Sequence, residues 1–213
     1  VRACHPGMLI IIVDGSNEGD PCREYVKSIA SERTSCLLIN YNIGHGKGMD
    51  LALSKCKTPY ALLFDSDIEM LKSPLEGMLA MMEPETYGVG LIEQSGLDGY
   101  EYGAHGAHQG QPSMNYLHPF FQLISVDNYR KHHPYVHHGA PCYLAALDLF
   151  KKGLSHTVKQ FPGIHHTGGM GWNWKPMPSE YVKHETYGTR RARVHKGLEE
   201  IEQNWVLKSM GDL

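Results

Sequence analysis

"YALLFDSDIEM", residues 60–70, runs five apolar or aromatic residues, Tyr60 to Phe64, straight into two aspartates separated by one serine. A short apolar run bounded by polar residues has the pattern of a buried strand. A strand ending in Asp65-Ser66-Asp67 brings two like charges into one small volume, where each carboxylate repels the other and holds its hydration. A cation is the expected companion, and the remaining sequence identifies its kind.

The neighbouring segments set this strand in a layered fold. Upstream, "MLIIIV" (8–13) reads as a buried parallel strand between Pro6-Gly7 and "DGSN". Asp20 and Pro21 supply an N-cap and a first-turn proline for a helix with Cys22, Tyr25, Val26, Ile29 and Ala30 on one face. "CLLIN" (36–40) is a second strand, followed by the glycine-rich turn "NIGHGKG" and a helix carrying Met49, Ala52, Leu53 and Cys56 at helical spacing. Downstream, Ser73, Pro74 and Glu76 form a capping-box start for a helix burying Leu75, Met78, Leu79 and Met82. "YGVGLIE" (87–93) is a fourth strand. Strands alternating with helices at these lengths predict an α/β fold with a mostly parallel sheet flanked by helices. Ligands of such sheets bind outside the carboxyl ends of the strands. That rule puts "DGS", "NIGHG" and "DSD" along one rim.

Residues 96–120, rich in glycine, tyrosine and histidine, read as loops shaping a pocket mouth. "FFQLIS" (120–125) is a fifth strand and "CYLAALDLFKKG" (142–153) a helix closed by Gly153. "HHTGGMGWNW" (165–174) is another irregular loop, a lid candidate, in which Trp172 and Trp174, like Tyr100 and Tyr102 earlier, offer flat faces on which a ligand ring can stack. "GLEEIEQNWVLKSM" (197–210) is amphipathic. One domain over 1–213 is expected, with a ligand-binding half at 1–95 and a second half at 96–213.

Composition narrows the function classes. A net charge of −3 argues against a nucleic-acid binder that works by massed positive charge. The apolar run at 8–13 is too short to span a bilayer and lacks a signal peptide's flanks. Five cysteines with no C-x-x-C pairing read as free thiols of a reducing compartment, which makes the cytoplasm the expected location. The histidine pairs at 132–138 and 165–166 lack the partners of a zinc site.

D-x-D gains weight from the hydrophobic strand before it, from its rim, and from "YVKHETYGTRRAR" (181–193), which offers His184, Lys183, Thr189, Arg190 and Arg191. Carboxylates with one imidazole suit a divalent cation that also accepts phosphate oxygens, Mg²⁺ or Mn²⁺.

These motifs, in this order, resemble the nucleotide-binding half of a GT-A (Rossmann-like) glycosyltransferase, most like glycosyltransferase family 2. Pro6 leads through "LIIIVDGS", then "NIG" at 42–44, then "LLFDSD" ending at 67. The resemblance implies metal-dependent transfer of a sugar from a nucleotide-diphosphate donor, a UDP-sugar favoured and a GDP-sugar second, to a hydroxyl on a glycan or glycoprotein. It implies that Asp14, Gly15 and Ser16 lie at the nucleoside base, and that Asn42 and Gly44 line the base or ribose pocket. Asp65 and Ser66 would meet the ribose or the metal's water shell, Asp67 would ligate the metal, His184 would be the third ligand, and Arg190 or Arg191 would steady the diphosphate.

Two departures from the family pattern stand out. Members usually open with another strand and helix before the "VDxGS" strand, so an N-terminal strand is expected to be missing from this sequence. The acidic pair usual in inverting members is replaced by "GAPC" (139–142). A base for the acceptor hydroxyl must then come from Glu93, Asp98, Glu101, Asp127, His137 or His138, or else the transfer is retaining and the leaving phosphate assists. Competing readings are a sugar-nucleotide nucleotidyltransferase, a non-catalytic carbohydrate-binding module of transferase-like fold, and, last, a zinc hydrolase.

Overall fold

The structure, a computed structural model, describes residues 1–97, 112–136, 140–165 and 178–184. β1 (Ile10–Asp14), α1 (Pro21–Ser28), β2 (Thr34–Leu38), α2 (His45–Lys55) and β3 (Tyr60–Phe64) follow one another in the expected alternation. β4 (Ile68–Met70), α3 (Leu75–Ala80), β5 (Gly88–Gly96) and β6 (Ser113–Ser125) come next. The short α4 (Val126–Tyr129), then α5 (Tyr143–Lys151), β7 (Val158–Gln160) and β8 (Val182–His184) complete the order. The result is the mixed α/β architecture expected of a Rossmann-like GT-A fold.

Among the described residues the strands form three ladders. β1 pairs with β2 in parallel. The largest ladder runs β3-β6-β5-β7, with β6 antiparallel to both β3 and β5, and β7 parallel to β5. β4 pairs with β8 antiparallel.

Period-2 alternation buries both faces of the large sheet. Ala61 and Leu63 of β3 join Tyr116, Leu117 and Ile124 of β6 in one core, roofed by Leu53 of α2 and Leu149 of α5. Leu62 and Phe64 point the other way, into a second core with Met78, Val89, Phe121, Leu123 and Ile164. A strand covered on both sides has no use for polar alternation, which is why "YALLF" is apolar throughout. The glycines of β5 keep it close to β6: a Cβ on Gly88 would lie 2.7 Å from the Ile124 and Leu117 side chains and 2.9 Å from the Leu123 carbonyl oxygen.

Three expectations are corrected. Residues 113–120 are strand rather than loop, and β6 extends over 13 residues. Pro119 falls where the β5–β6 register shifts between Gly90 and Ile92, an irregularity in which proline's missing N–H costs no ladder bond. In α1 only Val26 of the expected face is buried, while Tyr25 is 64% exposed and Ile29 37%. The helix instead turns Arg23, 5% exposed, toward β1. In α3 Met78 is fully buried but Leu79 is exposed, and the N-terminus is held by Leu75 N–H donating to the Ser73 hydroxyl at 3.2 Å, without a reciprocal glutamate.

All five cysteines are free thiols. Burial pushes the Cys142 thiol up to about 12. Among the described residues no helix is long and apolar enough to cross a membrane.

Candidate functional site

β3 ends at Phe64, and the chain turns through Asp65-Ser66-Asp67 before entering β4. Asp65 is fixed at its backbone, where its N–H donates to the Phe120 carbonyl at 3.0 Å. β4 then places Ile68 opposite His184 of β8, with Glu69 opposite Lys183 and Met70 opposite Val182. This register carries residue 184 across more than a hundred positions of sequence to the aspartate turn. His184 Nε2 lies 3.2 Å from Asp67 Oδ1 and 3.9 Å from Asp65 Oδ2. One ligand atom from each of the three residues falls within 4.8 Å of the others.

Burial grades across the cluster. The His184 side chain is 6% exposed, Asp67 28% and Asp65 24%, so the imidazole forms the floor and the carboxylates face the opening. The floor is held by stacking on Phe120, with ring centroids 5.0 Å apart and planes 23° from parallel. Phe120 continues an aromatic row along β6 through His118 and Tyr116, whose neighbouring centroids are 5.3 and 5.9 Å apart. Two carboxylates and an imidazole converging on one point form a donor set that a divalent cation fits, and a cation there would neutralise the repulsion between Asp65 and Asp67.

The other two rim motifs adjoin this turn. Asp14, 8% exposed, closes the "DGS" turn by accepting from Ser16 N–H at 3.1 Å and from its hydroxyl at 2.7 Å. Arg23 locks that turn to the next strand. Its Nη1 donates to the carbonyls of Ser16 at 2.7 Å and Ile39 at 2.9 Å, its Nη2 donates to Asn40 Oδ1 at 2.8 Å, and Nη1 lies 3.8 Å from Asp14 Oδ2. Gly15 is required by packing, since a Cβ would sit 3.1 Å from the Tyr41 carbonyl oxygen and 3.2 Å from Asn42 Cα. Asn42 Oδ1 accepts from Gly44 N–H at 2.9 Å, and Gly44 enters α2 with φ of 83°. The first residue of α2, His45, then places Nε2 3.0 Å from Asp65 Oδ1. The three motifs form one continuous edge.

The remaining expected residues divide by position. Ser66 is exposed at the tip of the turn. Glu93 of β5 pairs with Tyr116 of β6, on the same end of the sheet as Asp65 but two strands across from it. At roughly 4.8 Å per strand this separates it from β3 by about 10 Å, outside the three-residue cluster. Asp127 is excluded as a base for this site. β6 runs antiparallel to β3, so Ser125 lies opposite Tyr60 and Asp127 beyond it, at the far end of the sheet, where it pairs with Arg130 at 3.5 Å. Asp98, Glu101, His137, His138, Arg190, Arg191 and the aromatic residues Tyr100, Tyr102, Trp172 and Trp174 lie outside the described residues.

Sequence reasoning missed Arg23, His45 and Phe120. Arg23 sat on a helix whose apolar face was assigned from other residues. His45 followed Gly44 directly at a helix start on the same rim as "DSD", a signal available but unused. Phe120 is indistinguishable in sequence from a core phenylalanine.

The family model for glycosyl transferase family 2 matches residues 4–148. The chain therefore belongs to glycosyl transferase family 2, and its fold is the one expected of such a glycosyltransferase. No curated protein sequence matches it. Among solved structures, an active-site mutant of LgtC is similar at 13% identity, covering 96% of this chain and 91% of that one, with a TM-score of 0.51. The galactosyltransferase LgtC in complex with donor and acceptor sugar analogues matches at 13% identity over 98% of this chain and 92% of that one, with a TM-score of 0.49. The first of these shows the GT-A-like fold.

Proposed function

We propose that this glycosyltransferase is metal-dependent and moves a sugar from a nucleotide-diphosphate donor, a UDP-sugar before a GDP-sugar, to a hydroxyl of a glycan or glycoprotein. The observation that carries the proposal is the convergence of Asp65, Asp67 and His184 at the carboxyl end of β3. Asp67 and His184 would hold Mn²⁺ or Mg²⁺, with Asp65 completing the set or reaching the ribose. The cation, when bound, would offset the charge of the diphosphate against an acidic turn and stabilise the departing phosphate.

The chain's own groups account for the remaining steps. The turns at Asp14–Ser16 and Asn42–Gly44, joined to the aspartates through His45, form a wall against which a nucleoside can lie. Ser66, exposed at the turn, is placed to meet the donor's ribose or phosphates, and Arg190 is the proposed counter-charge to the diphosphate. In an inverting transfer the acceptor oxygen bonds to the anomeric carbon as the bond to the phosphate oxygen breaks, and a base takes the hydroxyl proton. Glu93, on the same end of the sheet as the aspartate turn, is the proposed base, with Asp98 the second choice.

Calorimetric titration with UDP, GDP and their common sugar conjugates, with Mn²⁺ and again with EDTA, tests the proposal. One nucleotide binding only with metal is the expected result. Binding that EDTA leaves unchanged would refute the metal-dependent site.

A further inference from the structure

The Asp65 carboxylate divides its two oxygens between different partners. Oδ2 faces the cluster, 3.9 Å from His184 Nε2, and Oδ1 faces His45 Nε2 at 3.0 Å, within direct hydrogen-bond reach. His45 is itself well held. It is the first residue of the 11-residue α2, which packs against β1 and buries Leu53 to 1% exposure. Its approach is fixed by the Asn42–Gly44 turn and the left-handed Gly44. A side chain on a packed helix that reaches back to one oxygen of a carboxylate removes that carboxylate's rotational freedom. It also leaves the other oxygen aimed at the shared point.

We propose that His45 is a positioning residue for the metal site, holding Asp65 by Oδ1 so that Oδ2 is presented to the cation beside Asp67 and His184. The proposal rests on the metal-dependent reading above. Among the described residues, His45 is not one of the three whose ligand atoms converge, and the count of coordinated imidazoles tells a positioning role from direct ligation. The arrangement also couples two rim motifs. The "NIGHG" turn that faces a nucleoside and the "DSD" turn that faces a cation meet through one hydrogen bond. Displacing α2's first turn therefore disturbs the cation site as well as the nucleoside wall.

Outer partners of metal ligands typically alter metal affinity by about 10–100-fold when removed. The test is Mn²⁺ titration of the full chain followed by electron paramagnetic resonance, without donor or acceptor, on wild type, Asp67→Ala, His45→Ala and His45→Gln, with thermal melting of each. Asp67→Ala should abolish tight Mn²⁺ binding. His45→Ala should weaken it by about 10–100-fold at an unchanged melting temperature. His45→Gln, whose amide N–H can still donate to Oδ1, should recover much of the loss. Nitrogen couplings on bound Mn²⁺ should report one imidazole, from His184, in wild type and in His45→Gln alike. If Asp67→Ala still binds Mn²⁺ tightly, the metal site itself is wrong. If Asp67→Ala fails to bind while His45→Ala binds like wild type, or if wild type shows two coordinated imidazoles, the positioning role alone is overturned. Should His45→Ala melt early, affinities are compared below the onset of its melting, where a weakening of about 10–100-fold that His45→Gln recovers supports positioning and wild-type affinity refutes it.

Discussion

Replacing Arg23 tests the link between the fold and the proposed nucleoside wall. The guanidinium is 5% exposed and makes three hydrogen bonds of 2.7 to 2.9 Å, two to backbone carbonyls and one to Asn40. It also lies 3.8 Å from Asp14, which is itself buried. A hydrogen bond to a charged group contributes about 1.5–3 kcal/mol, and removing one member of a buried ion pair costs about 3–5 kcal/mol. These contributions overlap, and the Ser16 hydroxyl and N–H continue to satisfy Asp14 after Arg23 is gone. The expected loss for Arg23→Met, which keeps the stem's packing, is therefore at the lower end, about 3 kcal/mol. Arg23→Lys keeps the charge but not the planar fork and should lose about 1–2 kcal/mol. Equilibrium urea unfolding followed by circular dichroism measures both, with the slope expected to stay constant while the midpoint falls. Nucleotide affinity should fall with stability, since the "DGS" turn loses its tie to Ile39 and Asn40. An Arg23→Met variant within about 0.5 kcal/mol of wild type would show that water replaces the guanidinium freely and would refute the account of this turn.

Other positions give independent checks. Gly90→Ala would drive a Cβ to 2.8 Å from the Phe121 carbonyl oxygen, so it should destabilise by about 1–3 kcal/mol in the same unfolding assay. Phe120→Leu removes the ring beneath His184 while keeping an apolar side chain, so Mn²⁺ affinity should drop several-fold more than the modest change in melting temperature would suggest. Burial raises the Asp148 carboxyl, but hydrogen bonds from Lys152 and His132 outweigh it and hold the group below its ordinary value of 3.8. A carboxyl lowered on folding adds stability above its unfolded value and loses it as pH falls through the folded one. Asp148→Asn should therefore be less stable than wild type at neutral pH, by up to about 1 kcal/mol, with the gap closing below pH 3.8 in urea melts at stepped pH.

The parts of this fold legible in sequence are those where a local pattern and the tertiary result agree. "MLIIIV", "YALLF" and the Met49-Ala52-Leu53-Cys56 spacing announced β1, β3 and α2 because each carries its apolar residues at its own period, although "MLIIIV" is not the buried strand expected: Ile10 to Val13 are half-buried and Leu9 is exposed. β4, β7 and β8 were not visible, since each is three residues long and formed by pairing rather than by propensity. That loss mattered for the site. Asp65 and Asp67 were marked by their strand, and His184 by its place in a basic segment, but the β4–β8 register that joins them is a long-range fact that no local window contains. α1 misled because its exposed apolar residues, Tyr25 and Ile29, mimic a core stripe, while the arginine that turns inward does so to meet Asp14 and three oxygen acceptors.

The most direct test of the central claim is an anomalous-scattering map, recorded at the manganese edge, from crystals of the full chain grown with Mn²⁺ and UDP. A single peak within coordination distance of Asp67 and His184, beside Asp65 and against the diphosphate of a bound nucleotide, is the predicted result. A nucleotide bound on the rim with no manganese at those side chains, or manganese held elsewhere, would contradict it.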